Sequence, residues 1–143
     1  MTLQNLITMI AKFGIQHRII NYSCAGSDIY ELNSGTIDAY PVLFTSPTGT
    51  HTVKKDTTDW EITFYYLDRL LNDSSNEADI LSASIEALKN IIWGIATLDG
   101  IVSVDEEIDI RNFVETEAFS DRLAGSYATV RITTINNFTC PVE

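Results

Sequence analysis

The chain has 143 residues, 20 of them acidic and 9 basic, for a net charge of -11. That length fits one domain with one real core, and no stretch approaches the roughly 18 to 20 uninterrupted apolar residues of a membrane span. The nine cations are scattered, only Lys54 and Lys55 being adjacent, which argues against the clustered Lys and Arg of a DNA-gripping surface.

Leu3, Leu6, Ile7, Ile10 and Phe13 recur at spacings of three and four. They predict a first amphipathic helix with Thr2 as its N-cap and Gly14 as its C-cap. Residues 18–23 are short and β-prone, and residues 25–38 carry Gly, Ser, Asn and Asp at loop density. A strand follows over residues 40–45, with Pro41 near its start, where a missing N–H is tolerated. The turn at residues 46–49 leads into residues 50–54, which suggests a hairpin between those two segments.

Residues 58–67 form the clearest strand, with Trp60, Ile62, Phe64 and Tyr66 alternating against Glu61, Thr63 and Tyr65. Residues 72–76 are a run of capping residues, and Glu77 and Asp79 place negative charge in the first turn of the helix they open. In that helix Leu81, Ile85, Leu88, Ile92 and Ile95 repeat as an apolar stripe. Asp99-Gly100 ends it. The segment 99–110 piles up acid at Asp105, Glu106, Glu107 and Asp109 and reads as a projecting hairpin or arm whose removal leaves the domain folded. Residues 111–117 and 126–134 are read as strands, the second with Ala128, Val130 and Ile132 inward. Residues 136–143 read as a polar tail.

This order predicts a single α+β domain over residues 1–143, with a mostly antiparallel or mixed β-sheet and two helices on one face. The expected core is Leu6, Ile10, Trp60, Ile62, Phe64, Leu81, Leu88, Ile92, Val130 and Ile132.

Chemistry leaves no mark. His17 and His51 stand in no metal-ligand spacing, and Gly26, Gly35 and Gly49 are isolated turn glycines, not a phosphate cradle. An EF-hand reading with Gly100 sixth and Glu106 twelfth puts Ile95 and Thr97 at positions one and three, where neither supplies the carboxylate the ion needs. The glycosylation sequons at Asn21 and Asn137 matter only in a secreted chain, and the N-terminus has no secretory pattern. The expectation is a soluble protein made in the cytoplasm, non-enzymatic and without cofactor or metal. Cys24 and Cys140 are read as free thiols.

One pattern is more specific. The strand Trp60-Glu61-Ile62-Thr63-Phe64-Tyr65-Tyr66-Leu67-Asp68 runs toward Asn76-Glu77-Ala78-Asp79-Ile80-Leu81 at the start of the long helix. Later Phe119-Ser120-Asp121-Arg122-Leu123-Ala124-Gly125, an F-x-D-R-L-A-G element, leads into the final strand. Over residues 1–136, outside 24–38 and 99–110, this resembles small proteins of tailed bacteriophages that infect Bacteroidetes, including crAss-like phages. Those proteins look like tail terminators, and related subunits form stacked neck or tail rings below the portal.

The resemblance implies a virion structural protein, a homo-oligomer in a closed ring of six or twelve copies. It would touch neighbouring ring, portal or tail proteins, and phage DNA would pass through without specific binding. Asp105, Glu106, Glu107 and Asp109 are the candidate assembly contacts. Taken singly, the motif residues read as structural: Gly125 as a bulge at the strand start, Phe119 and Leu123 as core, Asp121 and Arg122 as a charge pair. Two readings compete: an acidic inhibitor that mimics DNA, and a small ligand-binding protein or enzyme whose site has no recognisable motif.

Overall fold

A computed structural model describes residues 2–27, 40–47, 49–71, 73–115 and 122–136. Helix α1 (Leu3–Ile15) is followed by strands β1 (Tyr22–Ala25), β2 (Val42–Ser46), β3 (Thr52–Val53) and β4 (Thr57–Arg69). Helix α2 (Glu77–Ile95) and strands β5 (Ile101–Val104), β6 (Arg111–Glu115) and β7 (Leu123–Ile135) complete the chain. The sheet runs β1-β2-β4-β7-β5, with β3 on β4 and β6 on β7. Only β1 and β2 are parallel; the remaining pairs are antiparallel. This is an α+β fold on a mixed sheet.

The spine of the sheet is the unbroken β4–β7 ladder, from Thr57↔Ile135 to Arg69↔Leu123. Alternation along both strands sorts their side chains. Ile62, Phe64, Tyr66, Ala128, Val130 and Ile132 share one face, where they meet Leu6 and Ile10 of α1 and Leu88, Ile92 and Ile95 of α2 in a single buried cluster. Both helices therefore lie on the same face. Ser84 of α2 and Ser126 of β7 share a buried hydroxyl–hydroxyl hydrogen bond of 2.6 Å beneath them. On the opposite face Phe44, Leu67 and Leu123 form a second, smaller cluster.

Strand β2 is buried along its whole length because it feeds both clusters. Leu43 packs under α1 at Gly14, where a Cβ would collide with the leucine side chain, and Phe44 faces the other way. Gly14 is thus a close-approach residue inside the helix, not its cap. The helix runs on to Ile15 and is capped by Gln16. At the other end the Asn5 N–H donates to Thr2 Oγ1 at 3.1 Å, as the sequence predicts.

Several expectations are corrected. The hairpin at this part of the sheet joins β3 to β4, not to β2. The first strand begins at Tyr22 instead of residue 18. The buried stripe of α2 runs through Ile80, Ser84, Ala87, Leu88, Ile91, Ile92 and Ile95. Leu81 is only half-buried and Ile85 is exposed. Trp60 is likewise half-buried, its indole N–H donating to Thr134 Oγ1 at 2.8 Å.

Asn76 caps α2 by position only. Its side chain instead accepts the Leu71 N–H and donates to the Arg69 carbonyl, closing the loop before the helix. Gly125 makes no bulge: it pairs in register with Leu67, and the Tyr66 carbonyl occupies the space a Cβ would need. Phe119, Asp121, most of the 25–38 loop and all but Asn136 of the 136–143 tail lie outside the described residues.

Candidate functional site

The acidic segment does not project as an arm. Gly100, at φ 86°, turns the chain out of α2, and residues 101–104 pair with β7 through Ile101↔Thr134 and Val104↔Ile132. Ile101, Val104, Ile108 and Ile110 pack against the main core. What read as alternation ending in a charge run is an edge strand followed by a connection that keeps every second or third residue inward.

The four predicted contact residues have two different fates. Asp105 is half-buried and holds the segment to the sheet. Its N–H donates to the Arg131 carbonyl at 3.2 Å, and its Oδ2 accepts the Arg131 N–H at 2.9 Å. Its carbonyl accepts the Trp93 indole N–H at 3.1 Å. Glu106, Glu107 and Asp109 are exposed. Asp105, Glu107, Asp109 and Arg111 line an open cleft of about 500 Å³ over Tyr127, Ala128 and Thr129. The cleft exists because β5 pairs with β7 only down to Ile132, while β6 resumes at Tyr127.

This arrangement is poor in chemistry. Among the described residues no group of three His, Cys, Asp or Glu side chains could hold a metal ion. Burial, with Arg18 next to it, lowers the pKa of His17. His51 bridges backbone groups: its Nδ1 accepts the Glu61 N–H at 3.3 Å, its Nε2 lies 3.2 Å from the Pro47 carbonyl, and its ring leans on Trp60 at 5.2 Å. Cys24 is half-buried, and burial raises its thiol to about 11, far from the thiolate a nucleophile needs.

Sequence reasoning missed the sheet face opposite the helices. Tyr65 stacks on Tyr127 at 5.3 Å, and Phe113 meets both rings edge-on at 5.9 and 6.4 Å. The Arg69 guanidinium sits 5.0 Å over the Tyr40 ring. The available signal was Tyr65 on the outward register of β4, beside the inward Tyr66. Of the F-x-D-R-L-A-G element, Leu123 is buried in this second cluster. Arg122 reaches the Leu71 carbonyl at 3.1 Å and Ser74 Oγ at 3.2 Å.

No helix among the described residues is long and apolar enough to cross a membrane. No protein-family model matches the chain, and no curated protein is significantly similar to it.

Proposed function

We propose that the chain is a non-enzymatic ring subunit of the neck or tail of a tailed bacteriophage, of tail-terminator type, joining the head side to the tail around the DNA conduit. The carrying observation is the F-x-D-R-L-A-G element leading into the final strand. Leu123 and Gly125 of that element begin β7, the strand that pairs with β4, β5 and β6. Among its described residues, Leu123 is buried and Arg122 ties the strand start to Leu71 and Ser74, as a fold signature does.

One further feature supports the reading. The surface is acidic, with a net charge of -11 and no run of cations beyond Lys54-Lys55, so duplex DNA passing it meets repulsion instead of friction. The subunit contacts its own copies in a closed ring of six or twelve, and neighbouring ring, portal or tail proteins above and below. DNA passes without specific binding, and the protein resides in the virion.

Native mass spectrometry of the purified chain, with electron microscopy of the same sample, tests this. A closed ring of discrete mass is the expected result. A monomer at every concentration overturns it and returns weight to a DNA-mimicking inhibitor or to a ligand-binding protein.

A further inference from the structure

The described residues at the two ends of the sheet carry opposite charge. At one end, residues 2–27, comprising α1, β1 and their connection, contain no Asp or Glu at all, in a chain that has 20. They present Lys12 and Arg18 as exposed cations, with Ile15 exposed beside them. At the other end, residues 99–115 hold six carboxylates against the single Arg111. Glu106, Glu107 and Asp109 are exposed there, as are the apolar Val102 and Val114. The strand order β1-β2-β4-β7-β5 puts the whole width of the sheet between these two groups, and α1 packs on β1 and β2, at the end where residues 2–27 lie.

We infer that the α1–β1 edge of one copy docks on the β5–β6 edge of the next, with Lys12 and Arg18 set against Glu106, Glu107 and Asp109. The inference rests on the ring reading above and specifies which surfaces close it. Charge decides the symmetry of the contact. A two-fold contact matches a surface with itself, so it would place carboxylates on carboxylates at one edge or cations on cations at the other. Like charges brought together at an interface are penalised, and opposite potentials are favoured. Only the head-to-tail arrangement pairs unlike edges in every contact, and that is the arrangement that closes into rings. The exposed Ile15, Val102 and Val114 supply apolar surface within these edges. The acidic excess left over after pairing stays on the rest of the ring.

The test uses two full-length variants: K12E/R18E, in which both edges are acidic, and E106K/E107K/D109K, in which the second edge becomes basic like the first. All five side chains are exposed, and circular dichroism checks that each variant keeps its fold. E106Q/E107Q/D109N provides a gentler neutralisation. Each charge-reversal variant alone is expected to lose the wild-type ring mass, and the neutralised one to require higher protein concentration. Mixed in equal amounts, the two reversal variants should recover a ring of wild-type size containing both chains. If either reversal variant forms the wild-type ring by itself, or the folded pair fails to co-assemble, the edge assignment is overturned while the ring stands. A wild-type chain that never assembles overturns the ring reading itself.

Discussion

Asp105 continues the β7 ladder with its side chain: its carboxylate takes the Arg131 N–H that a backbone carbonyl would otherwise accept, while its own N–H returns to the Arg131 carbonyl. One residue thereby ends strand β5 and satisfies both backbone groups of Arg131 on β7. Asp105→Ala should cost about 1 to 3 kcal/mol by leaving that N–H unsatisfied, and Asp105→Asn, which keeps an oxygen acceptor, should cost less. Urea unfolding of the two variants measures the difference; equal losses would mean the carboxylate is a bystander. Removing residues 101–109 should unfold the domain, because the deletion takes β5 and the core-packed Ile101, Val104 and Ile108 with it. Circular dichroism of the deletion reads this directly.

The phase of α2 is testable at two positions. Leu88 is fully buried, so Leu88→Ala should lose roughly 2 to 5 kcal/mol. Ile85, 37% exposed, should tolerate alanine within about 0.5 kcal/mol, as surface positions do. A large loss at Ile85 would rotate the stripe back toward the one its sequence spacing suggests.

Asp59 contributes to the acid dependence of stability. Its carboxylate accepts from Thr133 Oγ1 at 2.7 Å and lies 3.1 Å from Lys54 Nζ. These contacts, Thr133 foremost, hold its pKa below the ordinary 3.8. A carboxyl lowered in the folded state stabilises fully above its unfolded value, and that contribution is lost as pH falls through the lower folded one. Asp59→Asn should therefore be less stable than wild type at neutral pH and should converge on it in acid. Asp68 works in the opposite sense. Burial raises its pKa, partly offset by Arg69, so its protonation on acidification favours the fold, and Asp68→Asn should be neutral or stabilising at pH 7.

Cys24 should be sluggish toward alkylation. Its thiol is pushed up to about 11 by burial, so little thiolate exists at pH 8. In a Cys140→Ser background, labelling should be slow in buffer and fast in denaturing urea. Immediate labelling of the native protein would contradict the burial.

Duplex DNA should not shift in a gel titration at physiological salt, because each phosphate contact needs a cation and 9 basic residues stand against 20 acidic ones. Saturable binding that weakens steeply with salt would replace the passive conduit with a gripping one.

Periodicity made the interior legible where one face alone is buried. The inward residues of β4 and β7, and Leu6 and Ile10 of α1, were readable for this reason. It failed where an element is buried on two sides or held by a single side chain. Nothing local distinguishes β2, wholly enclosed, from a half-exposed strand. The inward set of α2 is rotated because the Ser84–Ser126 hydrogen bond places a polar residue in the stripe, which a count of apolar residues skips. The acidic segment looked detached because its charges are adjacent in sequence, whereas Ile108 and Ile110, which turn inward, are separated by Asp109. The aromatic face depended on Phe113, Tyr65 and Tyr127 arriving from three strands, a meeting that only the sheet order determines.

The pairing of β4 with β7 joins residues 57–69 to residues 123–135, so the middle of the sheet is closed by a segment synthesised well after β4. Until β7 leaves the ribosome, β4 lacks the partner along its full length, and the faces meant for α1 and α2 stay open to water. Such long-range closure is slow, and exposed strand edges associate with whatever is near. Many copies of this chain made side by side would each pass through that unfinished stage, so the interval between the emergence of β4 and of β7 is when a helper that shields β4 would most improve the yield of folded protein.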